Sequence, residues 1–475
     1  MTDQQLRAIV EKVVNAMQSS THLPVSGTQP AAPFSDNGVF TDMNSAIEAA
    51  HAAFIKLQSF GPQQRTKLIT EIRKTILENK ETLSRMVLDE TKMGRYEDKI
   101  AKHIFAATST PGVEELTPRS WSGNNGLAIE EYAPYGVIGS VLPSTHPSET
   151  LANNTIMMLA AGNTVVFNPH PAAKNVSSFT VRLINAAIKR AGGPENVVAC
   201  VANPTIETAN VLFNHPKTKL LAITGGPAVV KAAMKSDKKV IAAGPGNPPV
   251  VIDETADLAR AAERITVSAS FDNNVLCTAE KEVFVVESVF DRFMQEMEKI
   301  GNKKLFASQI EQLAAKVFVR NPTGLVSVNR DFVGRNASVL AREIGLTVSD
   351  KTRLLFGETK NDHLFVQEEQ LMPFIPVVRV KNFEQGVAFA MAAEHGYGHT
   401  ASVFTKDMER ATCFARKANC SIFVINGGTY QGNGGADGEG TLSFTIATPT
   451  GEAITRPHSF ARIRRIVTIN AMRFV

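Results

Sequence analysis

Two successive series of short, apolar, β-branched runs, each run separated from the next by a helix-length segment, constrain this chain more than any other feature. The first series is YGVIGSVLP (135–143), NTVVFNP (163–169), NVVACVAN (196–203), KLLAITGG (219–226) and VIAAG (240–244). Runs that are apolar at successive positions suit strands covered on both faces, and the spacers suit helical crossovers between parallel strands. The second series, PVVID, EVFVV, HLFVQ, PVVRV, ASVFT and SIFVI, continues between residues 249 and 425. The expected fold class is therefore α/β, with two doubly wound α/β domains in succession. At 475 residues, 43% hydrophobic and 20% charged, the chain has the material for two or three domains.

Ahead of the first series the pattern changes. Leu6, Ile9, Val10, Val13, Val14 and Met17 share one helical face, with Asp3, Arg7, Glu11 and Lys12 off it, so residues 1–18 are expected to form an amphipathic helix. Residues 19–37, rich in Ser, Thr, Pro and Gly, read as a flexible linker. Asp3 and Glu11 argue against an organellar transit peptide. Helices are expected at 43–57 and as a pair within 63–93.

Several function classes receive no support. The net charge is only +4 without a Lys/Arg block, and no apolar run approaches the roughly 20 residues that span a bilayer, so neither nucleic-acid nor membrane partners are expected. The ten histidines include no HExxH pair and no carboxylate cluster has ligand spacing, so no metal site is expected. Cys200, Cys277, Cys413 and Cys420 show no CxxC spacing, which points to free thiols in a reducing compartment.

Three glycine-rich stretches differ in promise. GPGNPP (244–249) opens like a dinucleotide loop, but its prolines stand where a helix should start, and it is rejected. TGGPAVVKAAMK (224–235) is the better phosphate-loop candidate, because an apolar strand runs into glycines and then into a helix. GNGGADGEG (432–440) reads either as a mobile surface loop or as backbone left bare for a bulky ligand. Among the cysteines, Cys277 stands apart. It follows polar DNN, adjoins Val275 and Leu276, and precedes the strand EVFVV, so it sits at a junction where thiols become reactive. The other three lie in apolar or helical surroundings and read as structural.

YGVIGSVLPSTHP, LAAGNTVVFNPHP, AGGPENVV, ITGGPAVV, SFDNNVLC, EQLMPFIPVV and HTASVFT, in this order over residues 38–475, resemble the aldehyde dehydrogenase superfamily. AAGPGNPPVVIDETADLARAA and TPTGEAITRPHSFARIRR are similar to its coenzyme-A-acylating branch, the propionaldehyde and acetaldehyde dehydrogenases of bacterial microcompartments. The resemblance implies a nucleotide-binding domain at 38–245, to which 432–450 returns, and a catalytic cysteine domain at 246–431. It adds a β-rich oligomerisation arm from 118–133 and 451–475, and a homodimer or homotetramer. In such relatives a tethered amino-terminal helix is an encapsulation peptide, so residues 1–18 are expected to engage shell or core proteins within a microcompartment lumen of the bacterial cytoplasm.

The same resemblance implies the chemistry. Cys277 attacks a short-chain aldehyde, hydride passes to NAD, and the acyl thioester left on sulfur is transferred to coenzyme A. The backbone N–H of Cys277 is one oxyanion donor by analogy. In Pro143-Ser144-Thr145-His146-Pro147, where acylating relatives read PxTNP, either Thr145 or His146 can supply the side-chain donor; a cap on the following helix is the alternative for His146. Pro143, Ser144, Asn168, Pro169, Thr224, Gly225 and Gly226 match the cofactor site, Asn168 standing where hydrolytic members carry a lysine. Glu369 matches the carboxylate that holds the nicotinamide ribose. His399, in HGYGHTA, is a candidate contact for a coenzyme A phosphate, with a structural role as the alternative. Ala242 replaces the glutamate with which hydrolytic members activate water, so hydrolysis of the acyl-enzyme is expected to be slow. The competing expectations are an acyl-phosphate reductase on the same scaffold and a catalytically inactive scaffold or shell-binding protein.

Overall fold

The computed structural model describes residues 36–320, 326–435 and 438–472. The expected helix at 1–18 and nearly all of the linker lie outside them. The first series of apolar runs forms a six-stranded parallel sheet, in spatial order Val39–Phe40, Val198–Val201, Thr164–Asn168, Val137–Val141, Thr218–Thr224, Lys239–Ala243. Both faces are apolar because both are covered. Helices Met43–Leu57 and Ile206–Asn214 close one side around Ile47, Leu212 and Leu221. Helices Pro62–Glu78, Pro147–Ala160 and Lys174–Arg190 close the other around Ile72, Ile156 and Ile184.

The second series forms a seven-stranded parallel sheet, in order Lys303–Lys304, Leu355–Thr359, Phe374–Val380, Glu282–Val286, Pro249–Ile252, Thr400–Phe404, Ile422–Ile425. One expectation fails here. HLFVQ is a helical turn, Leu364–Gln367, whose first N–H groups are capped by the His363 ring; the strand in this region is Leu355–Thr359. Three apolar residues cannot display a period that separates strand from helix, and the capping histidine decides the matter locally.

Strands Arg119–Gly123, Gly126–Pro134 and Ala461–Ile469 make a separate antiparallel sheet. Arg464 and Arg465 pair across it with Glu131 and Glu130, while Trp121, Ile463, Ile466, Val467 and Ile469 stay exposed. The glycine-rich run bends back on itself: Gly435 bridges Gly438, and a Cβ at Gly438 would lie 1.9 Å from the carbonyl of Gln431. The four cysteines are free, and no cluster of candidate metal ligands occurs among the described residues. Among those residues, too, no helix is long and apolar enough to cross a membrane.

Candidate active site

Val137–Val141 is the strand at which the first sheet reverses direction. The chain adds strands to one side of it, then returns to add Thr218–Thr224 and Lys239–Ala243 on the other. Loops leaving neighbouring strands part at such a point and open a crevice at the carboxyl ends. Asn168 and Thr224 end the strands Thr164–Asn168 and Thr218–Thr224, and Pro143, Ser144, Thr145, His146, Pro169, Gly225 and Gly226 lie on the loops that follow the strands of this sheet. A Cβ added to Gly226 would meet nothing within 4 Å, so this turn faces open space just before the helix Pro227–Ala233. Thr224 shares a hydroxyl contact of 3.2 Å with Thr445. The Asn168 side chain is already committed, accepting from the Thr208 hydroxyl at 2.6 Å.

Cys277 follows an unusual stretch of backbone. Asp272, Asn273 and Asn274 have φ of 50°, 56° and 62°, three left-handed residues in succession. Asp and Asn tolerate this region better than other side chains, but the strain persists only where surrounding bonds over-determine it. Here they do. The Asp272 carboxylate accepts from the Arg95 backbone N–H and from Lys99 at 2.8 Å and Lys102 at 2.5 Å. Asn273 donates to Gly334 and Asn336 and accepts from Arg95 Nε. Asn274 donates to the Glu280 carbonyl and accepts from Lys281 at 2.5 Å.

Lys99 and Lys102 come from the helix Tyr96–Thr108 and are fully buried. Besides Asp272 they reach the other reactive loop. Lys99 donates to the Thr145 carbonyl at 3.0 Å, and Lys102 lies 3.1 Å from His146 Nδ1 and 3.2 Å from the Glu149 carboxylate. An ammonium can only donate, so His146 Nδ1 accepts and the neutral ring carries its proton on Nε2. Burial, with Lys102 beside it, holds the ring well below its usual pKa. His146 occupies the N-cap position of Pro147–Ala160, yet its side chain makes no capping bond. The expected alternative, a capping role, therefore gives way to the bond with Lys102.

Glu369, Cys277 and His399 converge on Gly246. The Gly246 N–H acts on the Glu369 carboxyl, drawing its pKa down, and a Cβ at Gly246 would lie 2.7 Å from the Cys277 carbonyl and 2.9 Å from the His399 ring. Only glycine lets these three approach one another, which is the use of the loop that looked like a failed dinucleotide motif. Burial, aided by Glu369, pushes the Cys277 thiol up to about 12, while Lys281 and the N–H groups of Cys277 and Thr278 pull it down. Burial raises Glu369 to about 7 and lowers His399 to about 4, where the ring is neutral at physiological pH. His399 Nδ1 bonds the Thr400 hydroxyl at 2.8 Å; its buried Nε2 has no partner among the described residues. Ala242, at the end of Lys239–Ala243, is fully buried in an apolar cluster and its N–H donates to Thr450.

A thiol just after a strained loop, which Lys99 and Lys102 tie to the Thr145–His146 loop of the first sheet, is matched by a family model. The aldehyde dehydrogenase family model matches residues 26–343 and 351–438. The chain belongs to the aldehyde dehydrogenase family. It is 46% identical over 478 residues to an acetylating acetaldehyde dehydrogenase of Salmonella typhimurium, covering 100% of both chains. A propionaldehyde dehydrogenase from the fucose utilisation microcompartment of Clostridium phytofermentans superposes with a TM-score of 0.90 at 43% identity, over 93% of this chain and 100% of that one. A Rhodopseudomonas palustris propionaldehyde dehydrogenase, solved with bound CoA and an acylated cysteine, has the same TM-score of 0.90 at 42% identity, over 93% and 100%.

Sequence reasoning missed Lys99, Lys102, Asp272, Glu149 and Lys281. A signal was present for Asp272, since three consecutive Asx residues before a candidate nucleophile suit left-handed backbone. Nothing local marks the lysines, whose partners lie up to 173 residues away.

Proposed function

We propose that this aldehyde dehydrogenase oxidises a short-chain aldehyde, acetaldehyde or propionaldehyde, and delivers the acyl group to coenzyme A. The carrying observation is the pairing of Cys277 on its braced loop with a methyl, not a carboxyl, at Ala242. Sγ of Cys277 adds to the aldehyde carbon, and the oxyanion is held by the Cys277 N–H with the Nε2–H of His146 or the hydroxyl of Thr145. Loss of hydride leaves an acyl thioester on Sγ. NAD, when bound, supplies the hydride acceptor. The switch-point crevice with its open turn at Gly226 suits the dinucleotide, and the half-buried carboxylate of Glu369 suits a ribose hydroxyl. His399, whose buried Nε2 has no partner among the described residues and which lies beside the Cys277 loop, is the candidate contact for coenzyme A.

The test is product analysis over acetaldehyde, propionaldehyde and butyraldehyde with coenzyme A present and absent. Acyl-CoA should dominate with it, and kcat/KM should peak at two or three carbons; free acid as the main product in both conditions would overturn the reading. The exposed apolar face of the antiparallel arm supports assembly as a homodimer or homotetramer. We assign residues 1–18 to packaging within a microcompartment lumen, supported by their amphipathic pattern and by the microcompartment relative.

A further inference from the structure

Lys281 is a buried ammonium with an unusual set of partners. It has no exposed surface and donates to Asn274 Oδ1 at 2.5 Å, the Leu276 carbonyl at 2.8 Å, the Ala279 carbonyl at 3.2 Å and the Asn274 carbonyl at 3.3 Å. All four acceptors belong to residues 274–279, the segment that carries Cys277. Buried lysines ordinarily pair with a carboxylate. Glu280, Glu282 and Glu369 are close enough to act on its charge, yet no ion pair of Lys281 occurs among the described residues. Its charge is directed onto peptide dipoles instead.

One of those dipoles matters for catalysis. The carbonyl of Leu276 and the N–H of Cys277 belong to the same planar peptide unit. A charge-assisted bond on the oxygen fixes the plane of that unit and draws electron density toward the oxygen, which makes the N–H at its other end a stronger donor. That N–H belongs to the residue whose sulfur it would serve, and it acts on the thiol, helping to draw its pKa down. Resting on the reading that Cys277 is the nucleophile and its N–H an oxyanion donor, we infer that Lys281 is a positioning residue that orients and polarises this N–H for both halves of the reaction. In the first half the Sγ–C bond forms as the thiol proton leaves, an oxyanion develops on the former carbonyl oxygen, and the C–H bond then breaks as hydride departs to NAD. In the second the coenzyme A thiolate adds to the acyl carbon, an oxyanion develops on the same oxygen, and the C–Sγ bond breaks. Both oxyanions need the same donor.

What separates Lys281 from a residue that only ionises Cys277 is the acyl-enzyme carbonyl. Such a residue acts on the sulfur that attacks in the first half and leaves in the second, and does not move the infrared carbonyl band of the propionyl-enzyme, whereas Lys281→Met should shift that band up from its wild-type position. The experiment measures, for full-length wild type and Lys281→Met, the single-turnover burst of NADH and, separately, transfer from preformed propionyl-enzyme to coenzyme A. Both rates are expressed per site titrated by iodoacetamide, so loss of folded protein does not count. Lys281→Met should slow both half-reactions by similar factors, about 10- to 100-fold, somewhat less than direct loss of an oxyanion donor. Lys281→Arg should recover part of both rates. A wild-type rate in either half-reaction of Lys281→Met overturns the inference.

If Lys281→Met does not fold, Lys281→Gln keeps a donor without the charge and should fall between wild type and inactive in both halves; a wild-type rate in either again overturns it. On the wild type itself, the infrared carbonyl band of the propionyl-enzyme should lie below that of the same enzyme denatured, and an unshifted band counts against the polarised N–H. Cys277→Ala distinguishes the two levels of failure. Acyl-CoA formation by that variant would remove the nucleophile on which the inference rests, whereas an inactive Cys277→Ala beside an unimpaired Lys281→Met removes only the role of Lys281.

Discussion

Ala242 shows how much one side chain decides. Its methyl is fully buried among apolar residues of the first sheet and its N–H is held by Thr450, so the position offers neither a proton acceptor nor a route for water. Ala242→Glu supplies the acceptor but forces a carboxyl into that cluster. Burying a carboxylate without a partner costs several kcal/mol. We therefore expect a lower Tm and, in the molecules that fold, acid released from propionaldehyde without coenzyme A above the wild-type level. Thermal denaturation and quantified propionate read the two effects; propionate no higher than wild type would remove the significance given to the missing base.

Among elements, the helix Tyr96–Thr108 does the joining. Its buried lysines meet Asp272 from the loop before Cys277, Thr145 from the loop after Val137–Val141, and Glu149 from the first turn of Pro147–Ala160. The Glu149 carboxyl, facing Lys102, His103, Lys99 and His146, is held well below the usual carboxylate range despite its burial. A depressed value means that the folded state binds fewer protons than the unfolded one across that range. The stabilisation is therefore complete above about pH 5 and is lost as pH falls through the carboxylate range. Glu149→Gln should lower Tm at pH 7 and flatten its fall between pH 5 and 3; a wild-type slope would show that Glu149 does not carry the acid sensitivity.

This network also marks where sequence reading stops. Most strands of the two parallel sheets were legible because they are runs of apolar residues bounded by turns; Leu355–Thr359, inside the second sheet, was not, since Gly357, Glu358 and Thr359 cut its run short. Cys277 stood out among the cysteines by the polar DNN ahead of it. HLFVQ was misread because so short a run has no period. Lys99 and Lys102 were invisible for a different reason. On an isolated helix a lysine belongs in solvent, and only the fold brings Asp272 and Glu149 to meet them.

For the whole molecule, the body from residue 36 onward has its own cores, and its antiparallel arm carries the exposed Trp121, Ile463, Ile466, Val467 and Ile469. Activity and assembly should therefore reside in that body. Deleting residues 1–18 should leave kcat/KM and the light-scattering mass per subunit count unchanged while abolishing packaging. A deletion variant that is inactive, or that is still packaged, would refute the separation of the two roles.

The lysine-bearing helix has a last consequence, for traffic. Asp272 belongs to the half built on the second sheet and Glu149 to the half built on the first, and Lys102 holds both at once. Swinging the halves apart would strand buried charges, at about 3–5 kcal/mol for a single broken pair. So open a state would be rarer than about one molecule in a hundred. Aldehyde, dinucleotide and coenzyme A must then enter and leave past a frame that stays shut.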